Sequence, residues 1–165
     1  MKLFSRISFG SIFLLLFCFL LVNPVQALEY TGFGGRPAFP RDDNPRTNSI
    51  FVHTITPGQV IDEGVRVINN TGDRKTFRVY GADFIPSSGG GFACKQFVED
   101  RVSVGSWLNL EANEVTLDAG TNQFVPFTIE IPENVGVGEH NGCILAEEKT
   151  EKTDDQAGLV LSFRT

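Results

Sequence analysis

From residue 50 onward, apolar and polar residues alternate with a period of two, the pattern of strands that bury one face and wet the other. The plainest case is 124–131, where Val125, Phe127, Ile129 and Ile131 share one side and Thr128 and Glu130 the other. The same pattern predicts strands at 50–55, 60–69, 75–84, 92–98, 140–148 and 158–164, with short ones at 107–108 and 115–117. In 60–69, Val65 and Val67 share a face. In 75–84, Phe77 and Val79 take one face while Arg78 and Tyr80 take the other.

Turn residues separate these runs. Thr56-Pro57-Gly58-Gln59 has Pro at the second position and Gly at the third, the type II signature. Residues 69–73 (NNTGD) and 118–121 (DAGT) are further turns, and 87–91 is a Gly-rich excursion. No window of eleven or more residues after the first segment carries a helical stripe. Seven or eight short strands with turns every 8–12 residues predict an all-β, immunoglobulin-like antiparallel sandwich. The last strand, 158–164, is expected to pair antiparallel with 140–148, the charged stretch 149–156 forming the connection.

Residues 1–27 break the pattern. Lys2 and Arg6 precede an unbroken apolar run over 12–22, then Pro24, then Val25 and Ala27 at the positions signal peptidase reads. Eleven residues fall short of the roughly 30 Å hydrocarbon core, so a cleaved signal peptide is favoured over an uncleaved anchor. Cys18 lies inside the apolar run and leaves with it. Residues 28–47, rich in Gly, Pro, Arg and Asp, have no periodicity and read as an extended lead-in to a domain at 48–165. That domain stops at Thr165 on an alternating strand, from which a C-terminal truncation is expected.

Composition narrows the function. The chain carries 14 Lys+Arg against 20 Asp+Glu, a net charge of −6, and losing Lys2 and Arg6 makes the remainder more acidic still. Binding to a nucleic acid backbone, which needs clustered cations, is excluded on that ground. Export leaves Cys94 and Cys143 in an oxidising compartment, so a single disulfide is expected, with two buried thiols as the alternative. The bond would close a loop of about 50 residues, for which chain entropy gives roughly 4 kcal/mol.

Catalytic and metal-binding chemistry finds little support. His140-Asn141-Gly142-Cys143-Ile144 superficially resembles the cysteine motif of the L,D-transpeptidases, yet Asn141 replaces the motif's His and Leu145 its Arg. With His53 and His140 isolated, no zinc set forms, and Asp42-Asp43 and Asp154-Asp155 read as solvated pairs rather than calcium ligands. No catalytic residue, metal or cofactor is assigned. Asn69-Asn70-Thr71 fits a glycosylation sequon but is better read as turn chemistry. Aromatic residues offer the better lead, since sugars bind through aromatic faces beside Asn, Asp and Arg. Tyr30, Phe33, Phe39, Tyr80 and Trp107 are expected in loops or on outward positions, with Trp107 the candidate ligand contact and a core-capping role its alternative.

The order of several short stretches adds a family resemblance. These are Asn44-Pro45-Arg46-Thr47-Asn48-Ser49-Ile50-Phe51, the Thr56–Gln59 turn, and Val65-Arg66-Val67-Ile68-Asn69-Asn70. Ser106-Trp107-Leu108, Val125-Pro126-Phe127, Ile131-Pro132-Glu133 and the 136–144 segment follow. Together they resemble the peptidoglycan-binding domain of the WxL-interacting proteins, exported cell-surface proteins of bacteria, over about residues 36–165. The resemblance implies an immunoglobulin-like fold, attachment at the envelope, and binding to peptidoglycan or to partner surface proteins. It also implies a second domain and a C-terminal membrane helix beyond Thr165, and it assigns no binding residue. The expected function is a non-catalytic cell-envelope binding module. A protein-assembly module that binds a strand at its edge is the alternative, and a cysteine transpeptidase comes third.

Overall fold

A computed structural model describes residues 32–86, 91–149 and 156–164. The predicted signal peptide, Tyr30, most of the Gly-rich excursion and Asp154-Asp155 lie outside them. Among the described residues, ten strands form two sheets. The four-stranded sheet has the order β1 (Phe33–Pro37), β3 (Val60–Asn69), β8 (Thr121–Glu130), β6 (Leu108–Leu110). The six-stranded sheet runs β2 (Phe51–Thr54), β10 (Gln156–Arg164), β9 (Glu139–Glu148), β4 (Lys75–Pro86), β5 (Phe92–Cys94), and β7 (Glu114–Leu117) also pairs with β4. All pairings are antiparallel except β2 with β10. The architecture is an immunoglobulin-like antiparallel β-sandwich.

The alternating residues build its core. Val65 and Val67 of β3 and Val125, Phe127 and Ile129 of β8 face Phe77 and Val79 of β4, Ile144 and Ala146 of β9, and Phe51 of β2. Phe51 and Phe127 meet edge to face, 5.4 Å between centroids. Burying each large apolar side chain stabilises the fold by roughly 1.5–3 kcal/mol. The expected antiparallel β9–β10 pairing is present, in register from Gln156 opposite Glu147 to Arg164 opposite Glu139. The turn at 56–59 closes with Gln59 N–H donating to the Thr56 carbonyl at 3.2 Å, and Gly58 takes the positive φ of 74° that its third position requires.

Three elements depart from the sequence reading. Phe33–Pro37, inside the stretch read as a lead-in, is a strand paired along its length with β3, so the sandwich begins before residue 48. Its Gly34 and Gly35 have no side chains to alternate, which hides it from a hydropathy pattern. The 92–98 strand ends at Cys94, and the rest is a loop. Trp107 lies in a 3-10 helix, Val104–Trp107, rather than on a strand. After it the chain switches sheets: β6 pairs with β8, then β7 with β4.

Candidate binding site

The outer face of the four-stranded sheet assembles from three strands. Val65 and Val67 point into the core, so Arg66 between them points outward. Its neighbour across β1 is Arg36, and its neighbour across β8 is Phe124, placing the three in one cross-strand row. Gly64 makes room for the Phe124 ring, because a Cβ there would collide with it. Phe39 meets Phe124 edge-on, 5.7 Å between centroids, with 57 % of Phe39 and 39 % of Phe124 exposed.

The segment after β1 is tied down. Ala38 N–H donates to the Gly64 carbonyl at 2.8 Å, and Arg41 N–H donates to the buried Thr47 hydroxyl at 2.7 Å. That hydroxyl donates to the Asn44 carbonyl at 2.7 Å. Asn44 caps the 3-10 turn Pro45–Asn48, its side-chain oxygen accepting from Arg46 N–H at 3.2 Å. Asn48 thereby stands beside the sheet. A groove of about 370 Å³ opens there, bounded by Arg36, Arg66, Asn48 and Asn122 with Ala38 and Pro40. Arg66 Nη1 donates to Asn122 Oδ1 at 2.9 Å. Among the described residues, neither Arg36 nor Arg66 forms an ion pair. The face can therefore offer two cationic forks, two amides and an aromatic ledge.

The opposite outer face, on the six-stranded sheet, is covered. Cys94 and Cys143 form the expected disulfide, Cα atoms 6.2 Å apart, tying β5 to β9. The loop that follows lays Phe97 against Tyr80, 5.2 Å between centroids, with Arg78 over Phe97 at 4.2 Å. Burial and the neighbouring Glu147 push the Tyr80 hydroxyl up to about 12. Asp83, 3 % exposed, accepts from the backbone N–H groups of Val102, Ser103 and Gly105 at 2.7, 3.1 and 2.8 Å, with the Lys95 ammonium 3.4 Å away. Burial acts to raise its pKa, but those donors outweigh it and hold the carboxyl below its ordinary value.

The aromatic candidates separate sharply. Trp107 is 7 % exposed and packs in the core near the His140 ring, so it is a core aromatic and not a ligand contact. Phe33 packs on Phe77, and Tyr80 is covered by Phe97. Phe39 stays on the surface, in the groove's neighbourhood. Cys143 is bonded and fully buried, so it holds no thiolate for nucleophilic attack. Asn69 of the sequon is also fully buried, its amide donating to the Asp73, Leu117 and Asp118 carbonyls and joining two turns. His53 pairs with Glu63 at 3.0 Å, linking β2 to β3. No cluster of three or more His, Cys, Asp or Glu among the described residues is placed to hold a metal. Arg36, Arg66, Asn122 and Phe124 were not among the sequence candidates. The alternation around Val65 does turn Arg66 outward, but only strand register reveals its partners.

No protein-family model matches the sequence, and no curated protein matches it. Solved structures do resemble it. A family 123 glycoside hydrolase from Clostridium perfringens aligns with TM-score 0.53 and 13 % identity, over 81 % of this chain and 27 % of its own. PapD-like domain 7 of human CEP192 aligns with TM-score 0.45 and 14 % identity, over 88 % and 92 %. The CsuC–CsuE chaperone–tip adhesion subunit complex of Acinetobacter baumannii gives TM-score 0.45 and 9 % identity, over 70 % and 53 %. The chain thus spans about a quarter of the hydrolase's length, and at these identities the likeness reaches no further than the fold.

Proposed function

We propose that this protein is an exported, non-catalytic binding module of the bacterial cell envelope that holds peptidoglycan on the outer face of its four-stranded sheet. The observation that carries this reading is the exposed Phe39–Phe124 pair beside a groove bounded by amides and guanidiniums. An aromatic edge-to-face pair gives the apolar face of a sugar ring a place to stack, and Asn48 and Asn122 supply donors and acceptors for its hydroxyls. The signal-like residues 1–27, the family resemblance and a disulfide suited to an oxidising compartment support the same reading.

Co-sedimentation of the purified protein with insoluble cell-wall sacculi tests it. Retention is expected, and Phe39→Ala and Phe124→Ala each weaken it about tenfold, the equivalent of some 1.4 kcal/mol. Trp107→Ala should lower stability by roughly 3–5 kcal/mol while leaving the folded fraction's retention intact. Absence of retention would sink the peptidoglycan reading. A second reading, a protein-binding module, is favoured by a separate feature: Val98 and Val102 are 86 % and 78 % exposed on the loop that the disulfide and Asp83 pin. Under that reading Val98→Asp abolishes cross-linking to a surface protein and leaves sacculi untouched.

A further inference from the structure

We infer that Arg36 and Arg66 form an oxyanion subsite, which takes a carboxylate of the peptidoglycan stem while the Phe39–Phe124 ledge takes the adjoining sugar. The inference rests on the peptidoglycan reading and names the group that reading leaves open. Arg36 and Arg66 stand directly opposite each other on adjacent antiparallel strands. Like charges so placed repel, and neither side chain forms an ion pair among the described residues. The contrast is with the strands of the six-stranded sheet and the residues beside them, although Arg46 and Arg101 also form no ion pair among the described residues. Lys75, Arg78, Lys95 and Lys149 each have a carboxylate partner.

Among the described residues, the Arg66 side chain hydrogen-bonds to Asn122 Oδ1, a neutral acceptor. This bond fixes the guanidinium without neutralising it. Among the described residues, no acidic side chain lines the groove. Two guanidinium forks converging on one open groove match the two oxygens of a carboxylate, and an anion placed between them removes the repulsion it finds there. Such an oxyanion next to a sugar has two sources in a cell wall, the carboxylates of peptidoglycan stems and the phosphodiesters of glycerol-phosphate polymers.

The test measures equilibrium binding of three probes to the purified protein: soluble disaccharide-peptide fragments, the same fragments with their carboxyls amidated, and polyglycerol phosphate. Amidation is expected to weaken binding tenfold or more, and Arg36→Gln to do the same to the unmodified fragment with little further loss on the amidated one. Arg36→Glu should abolish fragment binding and raise the melting temperature, a combination that misfolding cannot give. If the amidated fragment and Arg36→Gln both bind like the unaltered pair, the oxyanion subsite is wrong and the peptidoglycan reading stands. Arg36-dependent binding of polyglycerol phosphate alone keeps the subsite and overturns its assignment to peptidoglycan. Binding of none of the three overturns both.

Discussion

The two outer faces of the sandwich solve the same problem in opposite ways. On the six-stranded sheet, strand charges are paired and the Tyr80 face is covered by Phe97, while the covering loop leaves Val98 and Val102 exposed. Lys75 pairs with Glu148, Arg78 lies near Glu147 at 3.8 Å, and Tyr80 joins Ala82, Leu145 and the disulfide in a small second core. On the four-stranded sheet, two arginines oppose each other and two phenylalanines stay in solvent. The strands of the first face are largely satisfied by pairing and packing, whereas the second sets two like charges opposite each other. That asymmetry supports placing the proposed binding on the four-stranded sheet.

The strongest way to break the comparison is to uncover the closed face. The Cys94→Ser, Cys143→Ser double variant should lose up to roughly 4 kcal/mol of unfolding free energy, read by urea denaturation. Sacculus binding by the remaining folded protein should be unchanged, and a binding loss in step with the stability loss would merge the two faces into one. Next comes Asp83→Asn, expected to cost about 1–3 kcal/mol by weakening the hold on the Val102, Ser103 and Gly105 amides. Because folding depresses this carboxyl, its stabilisation is fully present above the ordinary value of 3.8 and is lost as pH falls through the lower folded value. Acid melting curves of the Asn variant should be flatter in that window.

Gly64→Ala sharpens the other side. The new methyl group must displace the Phe124 ring, costing about 1–3 kcal/mol and loosening the ledge, which thermal melting and sacculus retention would both report. The smallest expected effect is also the most discriminating. Arg36→Glu turns a repelling pair into an attracting one and should add about 0.2–1 kcal/mol of stability. A variant that gains stability as it loses ligand shows directly that the repulsion serves binding.

Much of the fold was legible because the core strands bury one face and alternate cleanly. Phe77, Val79, Val125, Phe127 and Ile129 all fell on the side the pattern assigned. With two cysteines after the apolar leader, the Cys94–Cys143 pairing needed no geometry. The site was far less legible. Arg36 sits on a strand whose glycines erase the alternation, and its meeting with Arg66 and Phe124 follows from hydrogen-bonded register between distant segments. Trp107 misled because an aromatic in a polar neighbourhood of the sequence gives no sign that a 3-10 turn will fold it inward. Tyr80 did point out of the main core as expected, but the loop carrying Phe97 covers it, and nothing local announces such a cover.

The parallel pairing of β2 with β10 bears on when the molecule can fold at all. β10 inserts between β2, near the start of the domain, and β9. The six-stranded sheet stays split until β10, the last of the described strands, arrives to bridge an early strand to a late one. Non-local closure of this kind is slow, since the chain must lose most of its freedom before that contact forms. During synthesis β2 waits for its strand partner, although β1 and β3 can already pair. For a chain exported as proposed above, that delay is an advantage, keeping it threadable until it has crossed.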